Sequence, residues 1–437
     1  MERTEAGPSL KGRIRGMLHG VAFGDALGAT IEKLSAAEIR QRYGRVTSLD
    51  VDWHRMALSE AERGGRIRGH GIVTDDTLMT LCLMAVYEEA GRHLDAWDMA
   101  GGMVRQIAWT PRWIPEMQRE TMLIERLFYP EKWIFQRHQL TSCDPREGGI
   151  GNMVNCGAAM YIAPVGAVNA CDPKAAYDEA VDLAAGHQHS YGLEAAGVMA
   201  ACVAAAMVPG TTVETVVETA IELAKDGTRA AIADIAEAAR RLKPHRADHA
   251  RVTAEFQSVI GRYSSMGDNV HRRVETAGVP TNDYTPSRLR AIEELPLALG
   301  FCLIHDGDFR AAIVDGVNSG RDTDSIGCMA GAILGAMQGE AVIDPADRNL
   351  LDRANRFDLA AEADRFHQVS AAILAADLDR ARRRDAQRLA LTAGGPFART
   401  SSQVPPPLAG GGQGEGSARV RARMGKGSRG RSASVLS

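Results

Sequence analysis

Between residues 12 and 28 the chain reads "GRIRGMLHGVAFGDALG", with glycine at positions 12, 16, 20, 24 and 28. A spacing of four places all five on one narrow stripe of an α-helix. Each glycine weakens a helix by roughly 1 kcal/mol relative to alanine. Five in register are tolerable only where another backbone comes too close to leave room for a Cβ. The same spacing returns at Gly327, Gly331, Gly335 and Gly339, flanked by Ala332 and Ala336. Close approach of glycine-lined helices is a steric effect, established in lipid but not confined to it. The two stripes therefore predict two helices packed against each other at the centre of a helical bundle. That pairing would bring Asp25 and Glu32, at the end of the first stripe, close to the start of the second.

The start of the second stripe is acidic. "NSGRDTDSIG" holds Asp322, Asp324 and Ser325, and a matching cluster, "GIVTDDTLM", holds Thr74, Asp75 and Asp76. Each cluster follows a glycine-bearing turn and opens a helix. Alone, either reads as an N-cap with acids complementing the helix dipole. One cap needs one side chain, however, and each cluster offers two carboxylates and a hydroxyl. On a regular helix Asp322 and Asp324 would diverge by about 200°, so they converge only if the backbone there is irregular. Hard cations such as Mg²⁺ or Mn²⁺ collect several oxygens at once. Brought together by the fold, the two clusters would supply ligands for two ions.

The rest of the chain is consistent with a helical, globular body. Hydrophobic residues make up 45% and charged residues 24% of the 437, ordinary for a globular protein. Helical periodicity dominates from residue 12 to about 390, and no stretch alternates like the core of a sheet. Residues 1–11 read as a flexible N-terminus and 391–437, rich in Gly, Pro, Ser and Arg, as a disordered basic tail. Seven basic residues and one acid between Gly394 and Ser437 leave that stretch at +6 and the remainder, against a total of −4, at −10. An acidic body argues against a nucleic-acid surface. The N-terminus lacks an apolar signal segment, and no apolar run is long enough to span a membrane. The seven scattered cysteines form no zinc spacing and read as buried reduced thiols of a cytoplasmic protein. One segment stands apart: residues 109–150 hold three of the five tryptophans and four prolines. They read either as a structural excursion or as an aromatic lid over a ligand.

Taken in order, "GMLHGVAFGDALGATIE", "TDDT", "CGAAMYIAPVG", "AAGHQHSYGLEAAGVMAA" and "NSGRDTDSIGCMAGAILGA" resemble the motifs of the ADP-ribosylglycohydrolase family over residues 12–340. The resemblance implies a compact all-α fold with a central dinuclear Mg²⁺ or Mn²⁺ site and hydrolysis at C1 of an ADP-ribose-like ligand. By match, Thr74, Asp75, Asp76, Asp322, Asp324 and Ser325 form the metal-ligand set. Glu32 falls on the acid that contacts metal or catalytic water, and Asp25, on the same turn, supports the loop through hydrogen bonds. Gly157 belongs to a glycine-rich loop that approaches ribose and diphosphate. His187 matches a histidine of the downstream helix and reads equally as a core histidine with both nitrogens satisfied.

The chain also departs from the pattern. Cys156-Gly157 and Tyr161 stand where relatives often carry Asn-Gly and an arginine. Gly320-Arg321-Asp322 stands where many read Gly-Gly-Asp. Arg321 is placed either to read an anion or to pair with a nearby carboxylate, and Trp109, Trp113 and Tyr161 are candidates to stack on an adenine. These changes leave room for an enzyme of the same fold acting on a nucleotide-like or nucleoside-like metabolite. Two further readings rank below that one. One is a non-enzymatic, crystallin-like protein. The other is an HD-type phosphohydrolase built on His305-Asp306. A monomer is expected.

Overall fold

The computed structural model describes residues 7–263 and 293–393. Its helices run in the order α1 (Leu10–Ala29), α2 (Ala36–Tyr43), α3 (Asp75–Ala90), α4 (Ala96–Asp98), α5 (Tyr129–Phe135), α6 (Ala163–Val168), α7 (Pro173–Ala184) and α8 (Ser190–Ala206). They continue with α9 (Val213–Leu223), α10 (Asp226–Leu242), α11 (His249–Gly261), α12 (Glu294–Ile304), α13 (Phe309–Asn318), α14 (Thr323–Gln338), α15 (Pro345–Asn355) and α16 (Leu359–Thr392). The fold is all-α, as the periodicity and the resemblance implied. The described residues form two units, one ending at Ala381 and one beginning at Arg382. Of the basic tail only residues up to 393 are described. Leu10 and Lys11, expected in a flexible terminus, form the first turn of α1, whose start is capped by the Ser9 hydroxyl.

The two glycine stripes form the centre of the bundle. Helices α1 and α14 run antiparallel, and α3, α8, α12 and α13 pack around them. Every residue from Gly16 to Ala29, and from Thr323 to Ala336, is buried. That is the condition expected of helices surrounded by others. A Cβ at Gly16 would sit 2.7 Å from Gly339 Cα, and one at Gly20 2.6 Å from Gly331 C. One at Gly24 would overlap the Gly327 carbonyl, and one at Gly28 the backbone between Thr323 and Asp324. Gly12, the fifth member, lies past the contact: its Cβ would meet only Ser9 and Pro8, at 3.6 and 3.7 Å.

The 109–150 segment holds the small sheet that the sequence did not announce. Strands β1 (Pro111–Ile114) and β2 (Arg119–Met122) pair antiparallel around a turn with Gln118 in the left-handed region. Four-residue strands are too short to show a clear alternation. Among the described residues no helix is long and apolar enough to cross a membrane. Cys82, Cys156, Cys202, Cys302 and Cys328 are buried free thiols, whereas Cys171 is exposed and Cys143 partly so.

A charged clasp ties α7 to α16. His93 Nδ1 lies 2.5 Å from Glu179 and Nε2 2.8 Å from Asp377. Glu179 also accepts from the buried Tyr87 hydroxyl at 2.7 Å. The Glu179 hydrogen bond, seconded by Asp377, raises the His93 pKa from 6.5 to about 9 against the opposing effect of burial. The protonated ring therefore stabilises the fold fully below about pH 6.5, and that contribution is lost as the pH rises through 9. Thermal melts from pH 6 to 10 should show this fall, and His93→Gln should lower the pH 7 melting temperature by about 2–4 °C and flatten it.

Candidate active site

The last turn of α1 and the first of α14 are joined by their flanking loops. The Thr323 hydroxyl donates to Gly28 O at 2.7 Å. Lys33 N donates to Arg321 O and Arg321 N to Leu34 O, each at 2.8 Å, and Ser35 bridges Gly320. Gly320 (φ +87°) and Arg321 (φ +75°) are both left-handed, and Asp322, at the N-cap, is non-helical. A side chain on Gly320 would strike Ala36 N and Leu34 O, at 2.6 and 2.7 Å. This is the irregular backbone that lets Asp322 and Asp324 face the same way. The same bridge carries Glu32 across to them.

Three overlapping groups of acids result. Asp25, Asp76 and Asp324 bring one carboxylate oxygen each within 4.8 Å of one another, and so do Glu32, Asp322 and Asp324. A third group, Cys156, Glu294 and Asp322, shares Asp322 with the second. Within this row Asp25 is fully committed to hydrogen bonds. It accepts from Thr74 N (2.9 Å), Thr74 Oγ1 (2.8 Å), Thr77 N (3.1 Å) and Thr77 Oγ1. It thereby caps α3 from a neighbouring helix, a task that Thr74, at the N-cap, leaves undone. Asp76 is the opposite case: its Oδ1 is buried and receives no hydrogen bond.

Burial and mutual repulsion load these carboxylates. Burial pushes Asp25 up to about 6 despite its four donors. Burial, then Asp25, Asp75 and Asp322, holds the Asp76 carboxyl well above its ordinary range. Asp324 is raised likewise by burial and then by Glu32, Asp322 and Asp76. Glu32 behaves differently. Burial would raise it, but Arg68 and Lys33 outweigh that and hold it below the usual carboxylate range. Its side chain retains 13% exposure and marks the open side of the centre.

A buried ladder of charges supports the row. Arg68 pairs with Glu32, donates to Glu116 at 2.7 Å and lies 3.8 Å from Asp324. Arg126 pairs with the other oxygen of Glu116 and lies 2.6 Å from Asp75. Glu116 and Arg126 come from the 109–150 segment, which thereby contributes two rungs of the ladder. None of these three residues was marked by sequence reasoning. Lone charges in a loop-rich segment carry no periodic signal, and only the fold shows that they are buried.

The sequence profile of the ADP-ribosylglycohydrolase family matches residues 6–385. The chain belongs to the ADP-ribosylglycohydrolase family. It is 26% identical over 349 residues to the uncharacterised protein YegU of Escherichia coli, covering 79% of this chain and 93% of that protein. It is 26% identical over 375 residues to the ADP-ribosyl-[dinitrogen reductase] glycohydrolase of Rhodospirillum rubrum, covering 85% and 99%. A solved "ADP-ribosylglycohydrolase-related protein complex" superposes with a TM-score of 0.53 at 20% identity, over 83% of this chain and 99% of that one. That likeness shows the fold.

The remaining motif residues of this ADP-ribosylglycohydrolase family member line or brace the site. Gly157 lets its loop pass against Glu131, whose carboxylate its Cβ would strike. Tyr161 and His187 are both fully buried. The Tyr161 hydroxyl lies 2.8 Å from His187 Nδ1, and Nε2 lies 3.0 Å from Pro130 O. Burial pushes the histidine down to about 3, so the ring is neutral, with Nε2–H donating and Nδ1 accepting. Of the two readings of His187, the satisfied core histidine is the one found, and it precedes α8 instead of lying within it. Tyr161 is equally enclosed and offers no face to an adenine. The pair instead fixes Pro130 and, beside it, Glu131, a buried carboxyl raised to about 8 by burial and Asp75.

Arg321 also resolves to one alternative. It forks Glu293 through Nε and Nη2, both at 2.8 Å, and is itself buried. Trp113 is covered by Arg356, 3.5 Å from the ring centroid, whereas Trp109 is exposed and packs on Phe135. The His305-Asp306 pair does not form a metal motif. His305 binds Asp315 at 2.7 Å, and Asp306 faces Lys243 and Arg246 at the surface.

Proposed function

We propose that this chain hydrolyses the glycosidic bond at ribose C1 of an ADP-ribose conjugate at a centre that holds two divalent cations, Mg²⁺ or Mn²⁺. The observation that carries the reading is the row of carboxylates containing the buried, unpartnered Asp76 Oδ1. Buried like charges are costly unless cations oppose them, and Arg68 and Arg126 already pair with part of the row. The donors are hard oxygens of the kind that such ions prefer. Thr74, Asp75, Asp76, Asp322, Asp324 and Ser325 would hold the ions. When bound, divalent ions supply Lewis-acid polarisation and an activated water.

The other residues divide the remaining work. Positive charge builds at C1 as the glycosidic bond breaks, and the carboxylate row is electrostatically matched to it. Glu32, anionic and partly exposed, is the acceptor that orients the attacking water. Held low by Arg68, it binds a proton weakly, so orientation is its larger contribution. Asp25 is a positioning residue, since all its acceptor capacity goes to α3. Arg68 fixes the direction of Glu32.

A second reading is a nucleotide-like or nucleoside-like metabolite as substrate. It is favoured by one observation: Tyr161 and Arg321 are both turned into the protein, away from an anion-reading role. One panel tests both. ADP-ribosyl-arginine, ADP-ribosyl-serine, O-acetyl-ADP-ribose and ribonucleosides are each incubated with Mg²⁺, with Mn²⁺ and with EDTA. The expected result is free ADP-ribose from at least one conjugate, abolished by EDTA. Cleavage of nucleosides alone would select the second reading, and turnover undiminished in EDTA would overturn the cation centre.

A further inference from the structure

The third group in the row differs from the other two because it contains sulfur. Cys156 is buried, and its Sγ donates to Asp322 Oδ2 at 3.4 Å and lies 3.5 Å from Ser325 Oγ. Its sulfur, a Glu294 oxygen and an Asp322 oxygen lie within 4.8 Å of one another. Among the described residues it is the one cysteine in such a group. We propose that Cys156 makes one end of this centre a site for a soft divalent cation, Zn²⁺ or Cd²⁺, held by the Cys156 thiolate with Asp322 and Glu294. The inference rests on the reading of the row as a cation centre.

Three arguments support it. Tetrahedral zinc with a sulfur at about 2.3 Å and an oxygen at about 2.1 Å sets those donors about 3.6 Å apart, close to the 3.4 Å between Cys156 Sγ and Asp322 Oδ2. Thiolates select Zn²⁺ and Cd²⁺ over Mg²⁺, whereas carboxylates alone do not. In the same row the buried Asp76 Oδ1 receives no hydrogen bond, so the row carries acceptor capacity that the protein's own donors leave unused. On binding, the S–H bond breaks as the S–metal bond forms, and the proton passes to solvent.

The full chain, freed of metal, is titrated with Cd²⁺ alone and with Zn²⁺ alone. The readouts are calorimetry and the ultraviolet thiolate-to-cadmium absorption. Cys156→Ser and Cys156→Asn are titrated beside it, with helical circular dichroism as the check on folding. Two variants keep the test available if one fails to fold. The other cysteines give the same background in all three proteins. The expected result is a cadmium–thiolate band in the wild type that both variants lack, with Cd²⁺ binding weakened by more than the roughly 10–100-fold that losing an outer-shell partner costs and Mg²⁺ binding weakened far less. Equal bands and equal Cd²⁺ affinity in all three would overturn the assignment. If Mn²⁺ binds the wild type while no Cys156-dependent band forms, the Cys156 assignment alone fails. If Mg²⁺, Mn²⁺ and Cd²⁺ all fail to bind, the cation centre fails with it.

Discussion

Gly24→Ala is expected to destabilise the protein by about 3 kcal/mol or more, beyond the usual 1–3 kcal/mol for an overpacked core. The direction is unusual, because alanine in place of a helical glycine ordinarily stabilises by about 1 kcal/mol. What reverses it is the neighbour. The new Cβ would overlap the Gly327 carbonyl and lie 2.7 Å from Cys328 N. Both obstacles are backbone, so no side chain can rotate away, and α1 and α14 would have to separate along their length. Gly12→Ala is the matched control, on the same helix and at the same spacing. Its Cβ would meet ordinary contacts at 3.6 Å or beyond, and it should be neutral or stabilising. Denaturant midpoints of the two variants against the wild type measure the difference. Equal midpoints would mean that the two helices do not touch along the glycines.

Asp324→Asn is expected to act in opposite directions on stability and on activity. The metal-free variant should melt higher than the wild type, because the change preserves shape and removes one charge crowded by Glu32, Asp322 and Asp76. Arg68 loses a partner 3.8 Å away but keeps Glu32 and Glu116. With Mn²⁺ present the order should reverse: the wild type gains stability from the ion it binds, and the variant gains little. Hydrolysis should fall by more than the roughly 10–100-fold typical of residues that merely support a metal ligand. If Asp324 served only the start of α14, the variant would melt lower with or without metal. Melting curves with Mn²⁺ and with EDTA separate the two cases.

The parts of this molecule that were legible in the sequence are those with a local signature. A four-residue glycine spacing specifies a helix face and demands a close neighbour, so Gly16–Gly28 and Gly327–Gly339 announced the central pair. Two acids at a helix start exceed what capping requires, and that excess pointed to Thr74–Asp76 and Asp322–Ser325. Arg68, Glu116 and Arg126 were not legible, because their burial depends on a loop-rich segment folding back on the row. Tyr161, His187 and Arg321 sit in motifs, and for His187 and Arg321 the sequence left a structural reading open beside the ligand-facing one. In the fold each spends its polar atoms on a protein partner, which a linear motif does not reveal.

The most direct test is the number of ions that the folded chain binds. Native mass spectrometry of the metal-free protein, reloaded with Mn²⁺, should show two ions per wild-type chain. Asp324→Asn should hold fewer, because Asp324 belongs to two of the three groups in the row. No bound Mn²⁺ in the wild type, or the same two ions in the variant, would contradict the central claim that the paired glycine helices assemble these carboxylates into a cation centre.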